Sequence, residues 1–148
     1  MIVTQVPWEH PDAESLRAGQ RIEIAERYGR DDSEPGPAPS ADDITAFFVA
    51  YSGETQVACG GLRRIDDEHG EIKRMFVRPE NRGTGASTAV LSRLEEEGRM
   101  LGWNRLVLET GDQQPDAIRF YEREGYTASP KFGHYVHSEL SRCYAKAL

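Results

Sequence analysis

The sequence predicts a mixed α/β domain, on three observations. Strand-like and helix-like periodicities alternate along the chain in the order β-α-β-β-β-α-β-α-β-β. Three strand signals follow one another across short turns, which reads as an antiparallel meander within a mixed sheet. The length, 148 residues, suits one domain spanning 1–148, large enough to bury a core without staples.

The elements follow in order. IVTQV (2–6) reads as a short strand stopped by Pro7 and Trp8. From Pro11, the residues Leu16, Ile22, Ala25 and Tyr28 recur near the 3.6-residue period, and Gly29 is a helix stop. RDDSEPGPAPSADD (30–43) carries three prolines and five acids, a composition that makes a loop or a substrate-side flap rather than a domain boundary. ITAFFVAY (44–51), TQVACGGLRRI (55–65) and EIKRMFV (71–77) are the meander, turned at SGE and DDEHG. In ASTAVLSRLEEEGRMLG (86–102), Val90, Leu91, Leu94 and Leu101 share one helical face. RLVLET (105–110) is a strand. PDAIRFYEREG (115–125) is a helix entered at Pro115 and left at Gly125. YTASPKFG and SRCYAKAL form two last strands around a loop holding His134 and His137.

Charge and composition narrow the function. The formal net charge of -7 argues against nucleic acid as a partner, since phosphate affinity comes largely from Lys and Arg. The longest near-apolar run falls far short of the ~20 residues a membrane helix needs, and no secretory leader is visible at the N-terminus. Cys59 and Cys143 read as reduced thiols, so the expected location is cytoplasmic. HYVH, with its two histidines, lacks the context of a metal site, and no metal is expected. Arg63, Arg64, Lys73 and Arg74 cluster on adjacent strands, where they either hold an acceptor's carboxylate or balance neighbouring acids.

RGTGAS (82–87) stands between a strand and a helix. The first turn of a helix offers amides without intrahelical partners, and glycines let a phosphate approach them. A plain strand-to-helix connection would look the same on two glycines alone. A P-loop is excluded because no Gly-Lys pair occurs. A dinucleotide fingerprint is half met by GTGAST, with Glu109 as its acid at the end of the next strand. Against it, EIKRMFV alternates rather than being continuously apolar, and the 37 residues after Gly111 cannot complete a doubly wound sheet.

Two blocks in order carry a resemblance. Val77, Pro79, Arg82, Gly83 and Gly85 fit V-x-P-x-x-R-G-x-G, and Ala117, Tyr121, Glu122, Gly125 and Tyr126 fit A-x-x-x-Y-E-x-x-G-F/Y. The chain thereby resembles the GCN5-related N-acetyltransferases, with Ser87 and Gln114 departing from the usual residues at their positions. The resemblance implies an acyl-CoA N-acyltransferase fold and acetyl-CoA as donor. Its pyrophosphate would lie on the amides of Arg82, Gly83, Thr84, Gly85, Ala86 and Ser87. Its pantetheine arm would run along Met75, Phe76 and Val77, with Gln114 as a further contact. It also implies Tyr121 as general acid and Glu71 as general base, and Tyr135 as part of the acceptor pocket. The acceptor would be an amine of a small molecule or peptide, attacking directly in a ternary complex; family members are often homodimers. A non-catalytic CoA-binding module of the same fold is the alternative.

Overall fold

A computed structural model describes residues 1–29 and 36–148. Residues 30–35 of the expected proline-rich loop therefore lie outside the described residues. The described elements are β1 (Ile2–Gln5), α1 (Pro11–Tyr28), β2 (Ala46–Ser52), β3 (Thr55–Arg64), β4 (His69–Val77), α2 (Ala86–Met100), β5 (Arg105–Gly111), α3 (Pro115–Arg123), β6 (Thr127–Ala128) and β7 (Ser141–Ala147). This is the predicted order. Short 3₁₀ turns at Pro79–Asn81 and Gly133–Tyr135 are added to it.

The sheet runs β1-β2-β3-β4-β5-β7-β6. Only β4 and β5 are parallel, joined by the α2 crossover, and every other described pair is antiparallel. Alternation along β2 feeds both faces of this sheet. Phe48 and Ala50 pack with Leu62, Ile72, Val90, Leu91, Leu94, Leu106 and Leu108 beneath α2. Phe47 and Val49 pack with Cys59, Phe76, Ala13 and Leu16 beneath α1. Leu94 is fully buried, so Leu94→Ala should cost about 2–5 kcal/mol.

Three details depart from the sequence pattern. Ile22 is 62% exposed. The inward stripe of α1 runs instead through Ala13, Leu16 and Arg17, and Gln20, Glu23 and Arg27 of the later turns border a cleft rather than the core. Glu95, a charged residue off the apolar face of α2 formed by Val90, Leu91, Leu94 and Leu101, is nevertheless buried, with both Tyr126 Oη (2.8 Å) and Lys146 Nζ (3.0 Å) donating to it. The strand expected over YTASPKFG shrinks to two residues, since Pro130 has no N–H for a ladder and the chain turns away there.

Two features of β4 create the site. Its parallel pairing with β5 spans only His69–Ile72 against Arg105–Leu108. Beyond Ile72 the strands part, and β5 continues beside β7 alone. Within the freed stretch Arg74 adopts φ +56°, a left-handed conformation rare for a residue with a side chain, and the β3 register shifts opposite it between Cys59 and Gly61. Gly60 permits this bulge: a Cβ there would meet Met75 Sδ at 2.6 Å and Val90 Cγ1 at 3.0 Å.

Candidate active site

Where β4 and β5 part, two adjoining cavities meet. The larger, about 280 Å³, is bordered by Met75, Phe76 and Val77, by residues 81–83 and 85–88 ahead of and opening α2, and by α3. The smaller, inner one, about 100 Å³, includes Lys73, Arg74, Glu109 and Thr110 at the fork between β4 and β5. Gln20, Met75, Gln114, Ala117 and Tyr121 border both.

The loop ahead of α2 turns on two glycines and leaves backbone donors unpaired among the described residues. Gly83 (φ +76°) and Gly85 (φ +89°) take conformations that other residues rarely adopt. Among the described residues, no backbone carbonyl accepts from the amides of Gly83 through Thr88, which open the helix. With the dipole of the 15-residue α2 behind them, these donors favour negative charge. Of the residues expected here, Arg82, Gly83, Gly85, Ala86 and Ser87 border the cleft. Thr84 does not, and its hydroxyl instead donates to Asn81 O at 2.5 Å, closing the turn. Thr88, which sequence reasoning passed over, does border it. Arg82 is held over the loop by an ion pair with Glu23 of α1.

On β4, Gln20 Nε2 donates to Met75 O at 2.9 Å. Gln114 stands at the N-cap of α3, and Pro115 then starts the helix without sacrificing a hydrogen bond. Six residues on, at the junction of the two cavities, is Tyr121, 6% exposed. Its ring meets Tyr126 edge-on at 5.7 Å, and its hydroxyl has no hydrogen-bond partner among the described residues. Burial alone pushes its pKa well above the usual phenol value, so the hydroxyl keeps its proton at neutral pH.

The two glutamates of the site differ. Glu71, 3% exposed, is saturated: Arg63 Nη2 donates to Oε1 at 2.9 Å, Tyr135 Oη donates to Oε2 at 2.7 Å, and Lys73 Nζ lies 3.5 Å from Oε2. Lys73 Nζ also donates to Tyr135 Oη at 2.8 Å. Glu71 and Tyr135 border a separate cavity of about 500 Å³ with Val107, Phe132 and His134, and it shares no residue with the one containing Tyr121. Glu109 is on the Tyr121 side. Burial, the largest influence, raises its carboxyl above the usual range, against the Ser141 hydroxyl and the charges of Lys73 and Arg74.

The basic cluster is divided by the pleat. Arg63 bridges Glu71 and Asp43, whereas Arg64 reaches Asp67 at 3.8 Å and stacks over Trp103. His134 packs against Gly36, and no group of three or more metal-ligating side chains gathers among the described residues. No described helix is long and apolar enough to cross a membrane.

Comparison with known proteins adds to this geometry. Residues 10–126 match the Acetyltransferase (GNAT) family. A relative from Azospirillum brasilense, "IAA acetyltransferase", is 40% identical over 104 residues, covering 69% of this chain and 67% of that protein. The N-acetyltransferase YsnE of Bacillus subtilis is 34% identical over 91 residues, and the match spans 60% of each chain. Among solved structures, a candidate acyl-CoA N-acyltransferase from Klebsiella pneumoniae superposes with a TM-score of 0.84 at 25% identity, covering 99% of this chain and 97% of that one.

Proposed function

The chain belongs to the GNAT acetyltransferase family, and on that premise we propose that it moves an acetyl group from acetyl-CoA to an amine of a small molecule or peptide. The single observation that carries this reading is the junction at Tyr121. There the cleft bordered by the glycine turn meets a small inner cavity beside a phenol whose hydroxyl has no hydrogen-bond partner among the described residues.

The donor's pyrophosphate rests on the free amides between Arg82 and Thr88, with Arg82 adding its charge. The pantetheine arm lies along Met75, Phe76 and Val77, whose main chain lacks a β5 partner and can pair with it like an added strand. Gln114, bordering both cavities, stands beside the thioester. The amine enters from the inner cavity and attacks the thioester carbonyl directly, in a ternary complex. Tyr121 then protonates the departing sulfur, which leaves more easily as a thiol than as a thiolate. Glu71 supports the site as a positioning group, because both of its oxygens are already engaged.

The test is calorimetric titration with acetyl-CoA, followed by thiol release across a panel of alkylamines, amino acids, polyamines and peptides. Saturable binding with amine-dependent release supports the reading. Binding without turnover on every class of amine would favour a CoA-binding module instead.

A further inference from the structure

We propose that Glu109 is the catalytic proton acceptor, taking the proton of the incoming amine at the fork between β4 and β5. The assignment rests on the acetyl-transfer reading above and deepens it, because it makes the acceptor an amine that arrives protonated.

Three observations converge on this carboxylate. Strand alternation along β5 sends Leu106 and Leu108 into the core beneath α2, and leaves Arg105, Val107 and Glu109 on the opposite face. Glu109 is the last of these before the strand ends, where β4 has already parted from β5. It therefore borders the inner cavity together with Tyr121 and Gln114. A proton acceptor and a proton donor on one small cavity are what attack at a thioester carbon requires, since the nitrogen loses protons as the sulfur gains one.

The second observation is its set of partners. Glu109 Oε2 accepts from the Ser141 hydroxyl at 2.5 Å, and Ser141 is fully buried and 2.9 Å from the Ser138 hydroxyl. That single bond fixes the carboxylate while leaving Oε1 with no hydrogen bond or ion pair among the described residues. Glu71 offers the contrast, with Arg63, Tyr135 and Lys73 around it and a different cavity beside it. An amine reaching Glu71 would have to displace a guanidinium or a phenol. One reaching Glu109 displaces neither.

The third is the electrostatic setting. Lys73, Arg74 and Glu71 face Glu109 from β4, Cys143 and Ser141 from β7, Tyr28 from α1, and Tyr135 from the turn that closes the site. Burial raises the carboxyl, while Lys73 and Arg74 keep its ionised form accessible. The result is a stronger base than a surface glutamate.

The protons balance. The ammonium gives one proton to the Glu109 carboxylate, and the freed nitrogen pair forms the C–N bond as the carbonyl π pair moves to oxygen. When the intermediate collapses, the C–S bond breaks with its pair on sulfur, and the Tyr121 hydroxyl supplies the proton that completes the thiol. The tyrosinate then takes the second nitrogen proton, leaving a neutral amide. Glu109 returns its proton to solvent.

The experiment measures kcat/KM between pH 6 and 9.5 for the wild type, Glu109→Gln, Glu109→Asp and Glu71→Gln. The probes are acetyl-CoA and whichever alkylamine in the panel turns over fastest. Glu109→Gln should lose about 10²-fold or more near neutrality with acetyl-CoA affinity unchanged. That deficit should shrink steadily as pH nears the amine's pKa of ~10, where solvent has already removed the proton. Glu109→Asp should keep the pH profile at reduced rate, which covers the case of a poorly folding amide. Glu71→Gln should show a smaller loss that does not vary with pH. A Glu109→Gln deficit constant across pH, or a pH-dependent deficit in Glu71→Gln, would overturn the assignment. Acetyl-CoA binding by the wild type without turnover on any amine would contradict the transfer reading itself, and this assignment with it.

Discussion

The Tyr135 hydroxyl donates to Glu71 at 2.7 Å while accepting from Lys73 Nζ at 2.8 Å, so one phenol on a turn 62 residues further along the chain ties together two buried, oppositely charged groups of β4. Tyr135→Phe would remove one hydrogen bond from each of these buried charges. Hydrogen bonds to charged groups contribute about 1.5–3 kcal/mol, so urea denaturation should show a loss of that order. An unchanged midpoint would mean that water replaces the phenol at no cost.

Tyr121→Phe should lower kcat by about 10²-fold or more and leave acetyl-CoA affinity within about twofold, because the hydroxyl is required only when sulfur departs. Steady-state kinetics beside calorimetry make the comparison. Loss of affinity with kcat retained would assign Tyr121 to packing instead.

Gly60→Val should disturb the fork at a distance from every proposed reacting group. Its Cβ would already press on Met75 Sδ and Val90 Cγ1, forcing the Arg74 bulge to shift or α2 to lift. The expected outcome is about 1–3 kcal/mol of lost stability together with weakened acetyl-CoA binding. Full binding in the variant would show that the bulge is not needed to present Met75, Phe76 and Val77.

A pH dependence of stability follows from Glu109. Burial raises its carboxyl in the folded chain above the ordinary value of 4.5, so the folded state holds that proton to higher pH than the unfolded state does. Between the two values the unfolded chain binds fewer protons, and stability falls as pH rises. Glu109→Gln removes this contribution. Its Tm relative to the wild type should therefore climb from pH 4.5 toward neutrality, whereas parallel Tm profiles would show that Glu109 ionises normally.

The parts of the site held by backbone conformation were readable from the sequence. Gly83 and Gly85 announce positive φ ahead of a helix, Pro115 announces a helix start, and Tyr121 falls at helical spacing from Ala117. What depends on distant partners was not. Alternation places Glu71 and Glu109 on strand faces equally well, and only Arg63 across the sheet and Tyr135 from a remote turn set them apart. The bulge at Arg74 has no signal within β4 itself; its trace is Gly60 on the neighbouring strand. Ile22 keeps the helical period yet faces solvent, because the inward face of α1 passes from core to cleft partway along, where Gln20 and Glu23 take over.

The central claim is acetyl transfer at the fork between β4 and β5. Its most direct measurement is mass-spectrometric detection of acetylated amine formed from acetyl-CoA, by wild type and Tyr121→Phe in parallel, with bound acetyl-CoA quantified in both. The account predicts equal binding, product from the wild type, and a loss of about 10²-fold in the variant. Acetyl-CoA bound by both proteins, with no acetylated product from the wild type on any amine, would contradict it.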